Sequence, residues 1–237
     1  MPETEKPVVN EHVLEIRYKP NPKILDLRGT WAEQVSLHMD LPHWRIVENR
    51  IDVFTEGESI HAFIGFRNGG MTALDTPTKN FFPDQATKLL RFLFSLDAFG
   101  DPLFVERLGV RSKFCTPFSG EFDELKERYS TRYLSLTEKA RQAIGEKVKL
   151  IDIGGPLNFA DHLGNFNTMS GPMPREQFSG FFKRKEGFPK VGLFLDIDYW
   201  LRPNESIAGK KLIKEIYAFA IAAWERYERI RDLILGD

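Results

Sequence analysis

Cysteine is almost missing from this chain: one, Cys115, in 237 residues, which excludes an intrachain disulfide framework and any multi-cysteine metal site. An excess of either charge is missing too. Against 33 basic residues stand 34 acidic ones, a net charge of −1, so the whole molecule has no attraction to nucleic acid or anionic lipid. Long apolar runs are absent: the longest uncharged helical stretch, 216–224, is far short of the roughly 20 residues a bilayer span needs. The first residues show no basic start followed by an apolar core, so no secretory signal is expected. A lone thiol suits a reducing interior. The expected setting is therefore the cytoplasm, without a membrane partner.

What is present reads as a globular chain: 42% hydrophobic, 28% charged and rich in Phe, with 20. The length accommodates one large α+β domain. Residues 1–10 are polar and contain proline, and are expected to form a flexible tail ahead of a single domain over 11–237. In 13–18, Leu14, Ile16 and Tyr18 alternate with Val13, Glu15 and Arg17, the period of a strand. Thr30 and Glu33 have capping-box spacing and predict a short helix running to about Met39. Strand patterns return over 44–54 and 60–66, with 56–59 as a hairpin loop. Asn68, Gly69 and Gly70 read as a turn before a short strand at 71–74. After Pro83, the spacing of Ala86, Leu89, Leu90, Leu93 and Phe94 predicts an amphipathic helix.

The second part repeats that order. A strand over 104–114 turns Phe104, Leu108, Val110 and Phe114 to one face. Helices follow around 122–129 and 137–144, then strands at 147–153 and 164–170, a helical turn at 175–182 and a strong strand at 191–200. A last helix of about 45 Å spans about 206–235. The expected architecture is a mainly antiparallel curved sheet, or two sheets, packed on helices. It forms a tandem βαβββα-like repeat with halves at about 11–100 and 101–237.

Three stretches carry a family resemblance: Pro7-Val-Val-Asn-Glu-His-Val-Leu-Glu-Ile-Arg-Tyr18, Val105-Glu-Arg-Leu-Gly-Val-Arg111, and Leu193-Phe-Leu-Asp-Ile-Asp-Tyr199 ahead of the long helix. Together they resemble a patchily occurring prokaryotic group, the sporadically distributed proteins of unknown function. The resemblance implies a shared fold over nearly the whole chain and brings no activity, cofactor or catalytic residue with it. That family usually carries Asn three residues after the second Arg, where this chain has Phe114.

Chemistry concentrates in a few places. Asp196 and Asp198 are two apart on a strand, so their carboxylates share a face about 7 Å apart. Such a pair can hold Mg²⁺ or divide acid and base roles. It can also pair structurally with Arg107 and Arg111, which share a face of the other strong strand, with Gly109 leaving room between them. His38, Asp40 and His43 fall within six residues but match no zinc spacing, and Pro42 interrupts any helix that would align them. Asp161 and His162 could orient a base, yet no serine stands in nucleophile-elbow context. Cys115 has only Lys113 as a local cation and reads as inert. Gly154-Gly155 and Gly69-Gly70 match no nucleotide fingerprint.

The segment Phe181, Phe182, Lys183, Arg184, Lys185 interleaves aromatics with basic charge, a composition that can track single-stranded nucleic acid or anchor a loop. With nucleophile, metal and nucleotide signatures missing, the sequence points to a non-catalytic binding or interaction module. It would take a protein or an apolar small molecule and need no cofactor. The alternative is a metal-dependent hydrolase or nuclease built on Asp196 and Asp198.

Overall fold

A computed structural model describes residues 8–145 and 149–236. In β1 (Val9–Tyr18), Leu14, Ile16 and Tyr18 are buried on one face, as the alternation predicts. The strand begins earlier than the polar composition suggests. Val9 and Asn10, assigned above to the tail, are buried in it, because the Asn10 side chain exchanges hydrogen bonds with the backbone of Thr76. Residues 1–7 of the expected tail lie outside the described residues.

Two helices follow, α1 (Lys23–Asp26) and α2 (Arg28–Met39). Thr30 lies inside α2 and caps nothing. The chain turns directly from one helix into the next, with the Trp31 amide donating to the Leu27 carbonyl, so no side-chain cap is used. The stretch read as one strand over 44–54 is a hairpin of β2 (His43–Val47) and β3 (Arg50–Phe54), turning at Glu48 and Asn49. Then come β4 (Ile60–Gly65) and β5 (Asn68–Leu74). Gly69 and Gly70 belong to β5 rather than to a turn. A Cβ on Gly70 would stand 2.0 Å from the Leu14 carbonyl oxygen, so the close approach of β1 admits only glycine there.

The amphipathic helix α3 (Phe81–Phe94) buries Ala86, Leu89, Leu90 and Leu93. In β6 (Leu103–Pro117), Arg17 pairs with Arg107 but Tyr18 with Val105, leaving Glu106 as the extra residue of a β-bulge. The alternation changes phase at that point. Leu103 and Val105 join Leu108, Val110 and Phe114 in the core, whereas Phe104 stays half-buried beneath the Lys19 ammonium, 3.7 Å from the ring centre.

Next are α4 (Phe122–Arg128) and α5 (Glu138–Ile144), the latter capped by Thr137, whose hydroxyl accepts from the Ala140 amide. The strand expected over 147–153 is not formed at 149–153, and residues 147–148 lie outside the described residues. The chain continues through β7 (Gly155–Ala160), β8 (Asn165–Pro174), α6 (Arg175–Phe178), β9 (Val191–Leu201), β10 (Glu205–Ile207) and α7 (Gly209–Leu235).

All strands form one open antiparallel sheet in the order β2-β3-β4-β5-β1-β6-β9-β8-β7, with β10 added to β6. The first strand of each half lies at the centre, and the remaining strands of that half run outward from it. Both halves share one core. Helix α7, about 40 Å long at 1.5 Å per residue, packs with α3 on one face of the sheet, where Tyr227 stacks on Phe114 and Trp224 meets that ring edge-on. On the opposite face, α6 and the chain after it close a second, smaller core of Val9, Cys115, Met173, Phe178, Phe182, Phe188 and Phe194.

Candidate functional site

Strand alternation fixes what the face turned away from α3 and α7 displays. With Leu14, Ile16 and Tyr18 turned toward the helices, Glu11, Glu15 and Arg17 must point the other way. The same parity puts Arg107, Gly109, Arg111 and Lys113 of β6 on this face, beside Asp196 and Asp198 of β9. The strands carrying the arginines and the aspartates are thus direct neighbours.

The pairing is diagonal. Arg111 stands opposite Asp198 in the register but grips Asp196: Nε donates to Oδ1 at 2.9 Å and to Oδ2 at 3.0 Å, and Nη2 donates to Oδ2 at 2.5 Å. The bond to Asp196 raises the Arg111 pKa against the opposing effect of burial. Lys113, opposite Asp196, turns instead to Glu11 on β1 at 2.7 Å and donates to the Phe181 carbonyl at 2.7 Å. Arg107 lies along the bare backbone of Gly109. A Cβ there would sit 3.4 Å from both of its terminal nitrogens. From that position Arg107 reaches Glu15 at 3.2 Å and Asp198 at 3.6 Å. Burial pushes the Asp198 pKa up, against the pull of Arg107 and Arg111.

A second cluster on this face escaped the sequence reading because its members come from three strands. The Asp52 carboxylate, 1% exposed, takes Arg45 Nε at 3.1 Å, Arg50 Nε at 3.0 Å and His61 Nε2 at 3.1 Å. Burial lowers the His61 pKa, outweighing the pull of Asp52. The available signal was Arg50-x-Asp52, two charged residues at same-face spacing.

The basic segment 181–185 is anchored through its phenylalanines and backbone, while Lys183 and Lys185 remain exposed. Phe182 is buried and Phe181 half-buried, both packed on Phe194. The Lys183 amide donates to Glu11 Oε2 at 2.7 Å, Arg184 pairs with Asp75 at 2.6 Å, and Lys185 donates to the Ser179 carbonyl at 2.7 Å. The buried Phe182 ring is not free to stack on a base, and two of the three cations, Arg184 and Lys185, are committed internally.

The remaining sequence candidates do not converge. His38 ends α2 and stacks on Phe92, while His43 opens β2. Asp161 closes its own turn onto Leu163 and Gly164 and holds Tyr199 and Arg226. Cys115 is fully buried, and burial pushes its thiol pKa far up.

Chemically, this face is a lattice of carboxylates already neutralised by guanidinium or ammonium groups. Both oxygens of Asp196 are taken by Arg111, so a divalent cation there would first have to displace the guanidinium. Among the described residues no three His, Cys, Asp or Glu side chains converge on a point where a metal could bind. What faces solvent is the outer side of the guanidinium groups: Arg17, Arg111, Arg45 and Arg50 are 54%, 47%, 46% and 40% exposed. Compared with known proteins, the sequence matches no family model and no curated protein.

Proposed function

We propose that this protein is a non-catalytic binding module whose partner, another protein, meets the arginine-bearing face of the sheet opposite α3 and α7. The observation that carries this reading is the set of four half-exposed guanidinium groups, three of them hydrogen-bonded to a carboxylate and Arg50 ion-paired with Asp52. Arginine held in this way keeps donors for a partner's carboxylates or carbonyls and has already lost most of its side-chain freedom. Arginine is also among the residues enriched where interfaces concentrate their binding energy. The hydrolase reading has less support, since Asp196 is committed to Arg111 and Asp198 stands beside Arg107.

The test is native mass spectrometry of the protein purified from its host, alongside an Arg17→Ala/Arg50→Ala variant. In that variant Glu15 keeps Arg107, and Asp52 keeps Arg45 and His61, so the fold is expected to survive. A bound protein seen with the parent chain and lost from the folded variant is the expected result. A partner retained at equal stoichiometry would overturn the proposal. So would metal-dependent phosphodiester hydrolysis that disappears in Asp198→Asn.

A further inference from the structure

The opposite side of the molecule carries a trough that the sheet face does not explain. Helices α3 and α7 run antiparallel. Phe94, at the end of α3, abuts Gly209 at the start of α7, where a Cβ would lie 2.6 Å from the ring. Toward their other ends, Phe82 and Trp224 sandwich His12. Between these two contacts α3 and α7, with His38 of α2, line a cavity of about 1240 Å³, larger than the roughly 300–1,000 Å³ of a typical small-molecule pocket. Its walls run from Asp84 to Ser95 and from Gly209 to Ala218, about 15 Å at 1.5 Å per residue, or three helical turns.

The lining is patterned. Ile213, Tyr217, Ala218 and Phe94 are all partly exposed and make an apolar floor. Each rim bears two cations, Lys88 and Arg91 on α3 and Lys210 and Lys214 on α7, against the single carboxylate of Asp84. Lys211, one position along, pairs with Glu205 and Glu215. The four rim cations form no ion pair among the described residues. The hydroxyl of Thr87 in the wall also lacks a hydrogen-bond partner there. In a chain of net charge −1, this is a concentrated positive frame around an apolar strip.

We infer that this trough receives an acidic amphipathic helix of a partner protein, laid lengthwise as a third helix beside α3 and α7. An apolar stripe at i, i+3, i+4 and i+7 would cover the floor. Carboxylates flanking the stripe on both sides would meet the two rims, so charge sets orientation and selectivity while the floor supplies burial. The length fits about ten residues of helix, which a rigid small molecule would not fill.

Fluorescence anisotropy with labelled 14-residue helical peptides tests this. One carries Leu at the stripe and Glu on its flanks, and a second replaces every Glu by Lys. Dodecyl phosphate serves as the small amphiphile. The acidic peptide is expected to bind the parent protein at least tenfold more tightly than the Lys peptide, and added salt should weaken it. In Lys88→Glu/Lys214→Glu, with the fold verified by circular dichroism, that preference should invert. An acidic peptide whose binding is unmoved by the double reversal overturns the inference, as does equal affinity for both peptides. Dodecyl phosphate saturating the trough while neither peptide binds would assign it to a small amphiphile and overturn the inference as well.

Discussion

His12 offers the sharpest test of the packing. Its ring lies between Phe82 and Trp224, with centroids at 5.1 and 5.5 Å, and its Nδ1 is 2.8 Å from the Ser112 hydroxyl. Burial lowers its pKa from 6.5 to about 3. The folded protein therefore takes up this proton only near pH 3, whereas the unfolded chain takes it up near 6.5. Between those values the unfolded state binds more protons, so stability is complete above about pH 6.5 and declines as the pH falls. At about 1.36 kcal/mol per pH unit, acidification from about pH 7.5 to about pH 5 removes about 2 kcal/mol through this residue alone. His12→Phe keeps the aromatic stack and abolishes the titration, while leaving Ser112 without its partner at a pH-independent cost of about 1 kcal/mol. Urea unfolding of both proteins at both pH values isolates the effect, because other titrating groups cancel in the double difference. The parent should lose about 2 kcal/mol more than the variant. Equal losses in the two proteins would refute the buried, neutral His12 described here.

Three further expectations concern stability and access. Gly70→Ala should destabilise by about 2 kcal/mol or more, since its Cβ would collide with the Leu14 carbonyl. Gly29→Ala, in an open helical position, should stabilise by about 0.5–1 kcal/mol; thermal melts of the two distinguish close approach from glycine flexibility in general. Arg111→Ala strands the buried Asp196 carboxylate and should cost about 2 kcal/mol, whereas Arg111→Met/Asp196→Leu should recover most of that loss in chemical denaturation. Lys113→Met releases Glu11 and the Phe181 carbonyl together, so hydrogen exchange should rise over 181–185 while amides of the main sheet stay protected.

Strand and helix identity was legible where one face met the core, as in the alternation of β1 and the stripe of α3. Position was lost where local chemistry mimicked something else. Paired glycines signal a turn in most contexts, and nothing within 68–74 reveals that a neighbouring strand would press on Gly70. The phase change at Glu106 could not be read, because a bulge is defined by its partner strand. On the face opposite α3 and α7, the spacing of Arg107, Arg111, Asp196 and Asp198 exposed the charged strip but not its diagonal pairing. That choice depends on Lys113 preferring Glu11, 102 positions away. The Asp52 cluster and the α3–α7 trough were invisible for the same reason: each is assembled from segments whose adjacency only the folded chain creates.

The meeting of β1 with β6 at the middle of the sheet has a consequence for how the chain can be divided. Cut in the connection after α3, each fragment would retain its own helices and most of its hairpins. Each would also bare its longest strand as an unsatisfied edge, all ten residues of β1 in one piece and, in the other, the ten of β6 that β1 had paired. Neither fragment should therefore persist alone in solution. Mixed, they should find each other through that shared edge and restore the uncut protein, while either kept apart should pair with copies of itself or precipitate.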